Sequence, residues 1–318
     1  MQTQVLDLDG SVSFQKKLLA SYPTAVHSFQ RWGPRIRMAC SHRRYRRFEL
    51  ALARSLGGTV DSRPTLTFYG SGDFHHVSLA LVRRLRVPVN LLVLDKHPDW
   101  MRGVPFLHCG TWLYHAARLP HVQAIFHVGG DVDFDNYYRW MAPWPLLRSG
   151  KITVFPAVRR FERGAWSELS NEPVRLEADT PVTLDRVERL LKPFREPLER
   201  APLYMSLDKD VLIEQDAAVN WDSGHLRLAE VDIVLNAFLR AAGGNWAGMD
   251  IVGDWSPVCL QGGLRRLMHA TEHPVLNVEP MEAARRNEKT NLKLVEFLRA
   301  SALPHDANQC PQDSGIVF

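Results

Sequence analysis

Short apolar runs and longer amphipathic stretches alternate along this chain. Six runs stand out: Leu66–Tyr69, Val89–Leu94, Ala124–Val128, Ile152–Phe155, Leu203–Leu207 and Ala247–Val252. None shows strict in-out alternation, which is the pattern of strands buried on both faces of a parallel sheet. Between the first two, His76–Leu85 places Val77, Leu81 and Leu85 four residues apart, on one helical face. Leu184–Leu191, closed by Pro193, and Leu228–Ala242 have the same helical spacing. Alternating strand and helix predicts βαβ units and a three-layer α/β/α architecture with a mostly parallel sheet.

The segment Pro280–Ala300 predicts a last, mostly charged helix before Leu303-Pro304. No linker composition interrupts the chain, so a single α/β domain is expected over residues 1–305, with 306–318 as a flexible tail. The basic stretch His42–Arg47 leads into Phe48–Ala53 and reads as the solvated face of a helix rather than an anion patch.

Composition narrows the function classes. The 318 residues hold 39 Lys and Arg against 35 Asp and Glu, and a charge of +4 is too small to argue for a nucleic-acid partner. The four cysteines, Cys40, Cys109, Cys259 and Cys310, are widely separated and form no C-x-x-C pair, which fits a reducing compartment. The first residues carry acids where a signal peptide needs a basic region, and no stretch of about 18 apolar residues occurs. A cytoplasmic protein with no nucleic-acid or membrane partner is expected; a homo-oligomer is left open.

The acids and histidines fall at the carboxyl ends of the predicted strands, the edge at which open α/β sheets bind ligands. The second run continues into Asp95-Lys96-His97-Pro98-Asp99, whose Asp95, His97 and Asp99 alternate and can face one way. Two carboxylates and an imidazole at one point call for a cation, and mixed N/O donors suit Mn, Zn or Fe. Taken alone, an acidic helix-capping loop explains the segment equally well. The fifth run ends in Ser206-Leu207-Asp208-Lys209-Asp210, a second pair spaced by two. The first ends in Gly70-Ser71-Gly72-Asp73-Phe74-His75-His76, where either His75 or His76 could add a ligand. Together these are enough donors for two divalent ions about 3.5–4 Å apart that activate a water between them.

The ordered set G-x-G-D…H, D-x-H-x-D and S-x-D-x-D resembles the ureohydrolase (arginase/agmatinase) superfamily. The resemblance implies an arginase-like α/β/α fold and two Mn²⁺ per chain. It would give the ligand roles to His75 or His76, Asp95, His97, Asp99, Asp208 and Asp210. The family's histidine directly follows G-G-D, whereas this chain reads Gly72-Asp73-Phe74-His75-His76, so an insertion must be absorbed and either histidine could take the role. The resemblance further implies proton shuttling by His108 in Leu107-His108-Cys109-Gly110. It gives Asp133 of Asp131-Val132-Asp133 contact with a substrate amino group, and Asp254 of Met249–Pro257 the pairing with a guanidinium. The implied activity is hydrolysis of a guanidino C–N bond with release of urea. Trp100-Met101-Arg102 replaces the family's carboxylate-reading asparagine loop, and Val211–Asp216 departs from its proline-containing continuation. Both departures count against free arginine and admit an arginine side chain within a peptide. The competing readings are a one-zinc amidohydrolase or deacetylase of the same fold and a non-catalytic ureohydrolase-like binding protein. The full set of carboxylates weighs against both.

Overall fold

The computed structural model describes residues 1–57, 63–102, 104–130, 140–157, 171–175, 180–274 and 278–301. Eight strands form one sheet: β1 (Gln2–Asp7), β2 (Thr24–Ser28), β4 (Thr65–Phe68), β5 (Val89–Leu94), β7 (Val122–Val128), β8 (Ile152–Phe155), β9 (Leu203–Asp208) and β10 (Trp246–Val252). A small antiparallel pair, β3 (Ala39–Cys40) with β6 (Leu107–His108), lies apart from it. The order across the main sheet is β2-β1-β4-β10-β9-β5-β7-β8, and every pairing is parallel.

Each strand divides its side chains between two apolar layers. From β5, Leu92 and Leu94 enter one cluster with Phe126, Phe155, Phe238 and Leu294, while Leu91 and Val93 enter the other with Tyr45, Phe48, Leu79 and Trp112. Helices Leu184–Leu191, Leu228–Ala241 and Pro280–Ser301 cover the first face, and His42–Leu56, Val77–Val82 and Trp112–Ala116 cover the second. The basic stretch at His42 is the first turn of a helix capped by Ser41, whose side chain accepts from the Arg44 N–H. The eight-stranded parallel sheet flanked by helices is therefore the architecture expected from the strand–helix alternation.

Strand order prepares the site. The chain leaves β4 and builds β5, β7 and β8 outward; β9 and β10 return later to fill the gap between β4 and β5. The loops after β4, β9 and β5, far apart in sequence, thus emerge at neighbouring points on one edge. The expected tail, 306–318, lies outside the described residues, as does Asp133. No helix among the described residues is long and apolar enough to cross a membrane.

Candidate metal centre

At that edge the three motifs meet. His75 Nδ1 lies 3.0 Å from Asp95 Oδ2, 2.9 Å from Asp99 Oδ2 and 3.5 Å from Asp208 Oδ2. His97 Nδ1 lies 2.7 Å from Asp210 Oδ2 and 3.9 Å from Asp95 Oδ1. Two groups with converging donor atoms result, His75–Asp95–Asp99 and Asp95–His97–Asp210, and Asp95 belongs to both. One oxygen of Asp95 faces each histidine.

The backbone holds the acids in place. Asp95 Oδ1 accepts the His97 N–H (2.7 Å), Asp210 Oδ1 accepts the Lys96 N–H (3.1 Å), and Asp208 Oδ1 accepts the Asp210 N–H (3.1 Å). Asp99 adopts φ 48°, a left-handed conformation uncommon for a residue with a side chain, and its Oδ2 accepts the Trp112 indole N–H at 2.9 Å. Glycine is required where the chain passes over Asp208. A Cβ on Gly253 (φ 99°) would stand 2.4 Å from Asp208 Oδ1, and one on Gly72 would stand 2.8 Å from Oδ2.

The electrostatics are those of a site short of positive charge. Burial raises Asp95 well above the carboxylate range, and the neighbouring charges of Asp99 and Asp210 add to it. Burial and then Asp210 push Asp208 up to about 8. Burial opposes charge on both histidines, yet Asp95 and Asp99 hold His75 well above the imidazole range, and Asp210 lifts His97 to about 10. Protons thus gather where cations are needed. His75 Nδ1 and Asp95 Oδ2 are buried and, despite their closeness, are not in hydrogen-bonding geometry with any partner. Such atoms, aimed at one point by nitrogen and oxygen donors, fit a pair of divalent ions.

Of the two adjacent histidines, only His75 is brought next to the acids, by the turn Gly72–Phe74. That turn buries Phe74. His76 belongs to neither donor group; it is fully buried near the Tyr45 ring, and burial, then the charges of His108 and His75, lower it to about 3. His108 lies on β6 and accepts the Gly110 N–H at Nδ1 (3.1 Å), so the neutral ring carries its proton on Nε2. Burial lowers His108 to about 4, opposed by the charge of Asp99.

Asp254 departs from the expected role. Its Oδ2 is 2.8 Å from the ammonium of Lys209, its Oδ1 accepts from Gln15 Nε2 (2.7 Å) and Asn291 Nδ2 (3.4 Å), and both charged residues are fully buried. The physical reason is the turn that ends β9. Lys209 opens the 3-10 turn Lys209–Val211 with its side chain fully buried, and a buried ammonium needs an acid. Asp254 supplies it. Four residues at the site had no assigned role in the motifs: Trp112, Ser206, Lys209 and Asp250. Ser206 was visible as the serine of S-x-D-x-D, and Asp250 as an acid in an otherwise apolar strand.

Comparison with known proteins agrees with this architecture. No family model matches the chain. A curated relative, an uncharacterized protein from Thermotoga maritima, is 26% identical over 193 residues, 61% of this chain; the match spans 59% of that relative's length. Among solved structures, proclavaminate amidino hydrolase from Streptomyces clavuligerus superposes with a TM-score of 0.54 at 16% identity, over 95% of this chain and 92% of that one. Agmatine ureohydrolase of Thermoplasma volcanium gives 0.54 at 14%, over 95% and 89%. The arginase of Helicobacter pylori gives 0.55 at 11%, over 95% and 99%. The chain has an arginase-like α/β fold.

Proposed function

We propose that this chain is a metal-dependent hydrolase that uses two divalent cations, Mn²⁺ by preference, to cleave a guanidino C–N bond and release urea. The observation that supports this reading is the position of Asp95 in both donor groups. Its two oxygens can serve two ions at once, which a single-metal site does not require. The bound ions would lower the pKa of a shared water and make it a nucleophile at neutral pH. The residues supply the rest. His75, Asp99 and Asp208 hold the buried side, and His97 and Asp210 the open side. Trp112 fixes the Asp99 carboxylate through its indole N–H. His108 holds a proton at Nε2 for the leaving amine. Asp133 would contact a substrate amino group, and the substrate is a small guanidino compound or an arginine side chain in a peptide. A cytoplasmic location is part of the same proposal.

One observation favours a second reading, hydrolysis of a neutral amide on the same two-metal centre. Asp254, the acid expected to read a guanidinium, is already neutralised by Lys209. The Mn-loaded chain should be assayed for urea with arginine, agmatine, guanidinobutyrate and an arginine-containing peptide, beside a panel of acylated amines assayed for free amine. Urea from any of the first four carries the guanidino reading. Amine release alone transfers the function to the amide reading, and no turnover with two ions bound defeats both.

A further inference from the structure

Beneath the donor groups, four buried hydroxyls converge on one carboxylate. Asp250, in the middle of β10, accepts at Oδ1 from Tyr69 Oη (2.9 Å), Ser78 Oγ (3.0 Å) and Ser206 Oγ (2.8 Å), and at Oδ2 from Tyr204 Oη (2.8 Å). All five residues are buried. Tyr69 and Tyr204 belong to the apolar cluster beneath helix Val77–Val82, which carries Ser78, so the hub lies on that face of the sheet. Ser206 Oγ also lies 3.0 Å from His75 Nε2, the ring nitrogen opposite the one that faces the acids.

Counting hydrogens gives this chain a direction. An ionised carboxylate only accepts, and a serine hydroxyl has a single hydrogen. With that hydrogen given to Asp250 Oδ1 at 2.8 Å rather than to Ser78 Oγ at 3.2 Å, Ser206 has only lone pairs left for His75, so Nε2 carries the N–H. In a neutral imidazole the remaining nitrogen, Nδ1, is then the lone pair, and it points at Asp95, Asp99 and Asp208. Were the serine to point its hydrogen at His75 instead, the neutral ring would turn an N–H toward the acids and could not ligate.

We propose that Ser206, oriented by Asp250, is a positioning residue that locks His75 in the tautomer able to bind a divalent cation at Nδ1. This rests on the two-ion reading of the centre and adds that the affinity of its buried half is set by groups that touch no ion. Hydrogen-bond partners of metal-binding histidines typically alter affinity by about 10- to 100-fold.

The test uses the full chain, titrated with Mn²⁺ for affinity and loaded with Zn²⁺ for ¹H–¹⁵N spectra of its histidine side chains. Ser206→Ala should weaken one of two binding steps by about 10- to 100-fold and leave the other within about twofold. It should also abolish the slowly exchanging Nε2–H resonance of His75, assigned by its loss in His75→Asn. Ser206→Thr keeps the hydroxyl and should restore both. Asp250→Asn, which removes one acceptor oxygen, should weaken the same step and serves as the test if Ser206→Ala does not fold. Two wild-type binding steps that neither Ser206→Ala nor Asp250→Asn changes, with the resonance retained, overturn the proposal and leave the two-ion centre standing. A wild-type chain that takes up fewer than two ions defeats the two-ion reading itself, and this proposal with it.

Discussion

The two histidines that share Asp95 live in opposite surroundings. The His75 side chain is 1% exposed, with the Trp112 ring 4.9 Å away and Ser206 behind it. The His97 side chain is 38% exposed, with only the edge of Trp221 at 5.5 Å. His75 closes the 3-10 turn Gly72–Phe74 that follows β4, whereas His97 projects from the loop beyond β5. Asp95 and Asp210 are as buried as His75, so the contrast lies in the imidazoles alone. On the proposed two-ion reading, the buried imidazole would release its ion slowly and the part-exposed one would face substrate.

Breaking the element common to both halves should have the largest effect. Asp95→Ala should eliminate both ions and all hydrolysis, as measured by metal content and turnover. Its metal-free form should melt no lower than the metal-free parent, because a buried acid whose charge its surroundings oppose has been removed. Next comes the asymmetry itself: His75→Ala should lose the slowly exchanging ion, and His97→Ala only the rapidly exchanging one, as read from ion release into a chelator. Equal release kinetics in the two variants would erase the distinction. A smaller effect is expected of Trp112→Phe, which keeps the ring but deletes the N–H bonded to Asp99. Affinity at the buried half should fall about tenfold, with the open half unchanged in the same titration.

The smallest effect concerns the metal-free protein and pH. Asp208 is raised to about 8, and His97 to about 10. A folded-state pKa above the unfolded one means that the native state binds the proton more tightly, so stability declines as pH rises through that window. For Asp208 the loss runs from its ordinary value of 3.8 to about 8, and for His97 from 6.5 to about 10. Thermal melts of the metal-free chain should therefore fall between pH 6 and about pH 9, while the Mn-loaded chain, whose ions displace those protons, should change less. A metal-free melting curve that rises over this range would show that the acids are not sharing protons in the native state.

The sheet was largely readable because its inner strands are apolar on both faces. Val89–Leu94 and Ile152–Phe155 coincide with β5 and β8, and the other four runs lie within two residues of β4, β7, β9 and β10. Of the main sheet, the two strands that escaped notice are those whose burial is mixed. Gln2–Asp7 begins Gln-Thr-Gln and has only Val5 and Leu6 as apolar residues, and Thr24–Ser28 is an edge strand exposed along much of its length. At the site, motif spacing located the acids, although the backbone beyond β5 and β9 is bent rather than extended: Asp99 has φ 48° and Lys209–Val211 is a 3-10 turn. It did not decide between His75 and His76, which depends on a turn that tucks Phe74 inward. Nor did it foresee Asp254. Its partner Lys209 is buried, and which acid meets that ammonium is a tertiary matter. The Ser206–Asp250 contact joins two strands through side chains 44 positions apart, a pairing no local pattern reveals.

Asp99 carries a wider consequence through its φ of 48°. Glycine occupies that conformation without steric penalty, and asparagine reaches it about as readily as aspartate. One amino-acid exchange there would ease or preserve the backbone, delete a charged oxygen and relieve crowding among the acids. Losing the proposed chemistry would thus be conformationally downhill for this chain, with a folded, inert descendant a single substitution away.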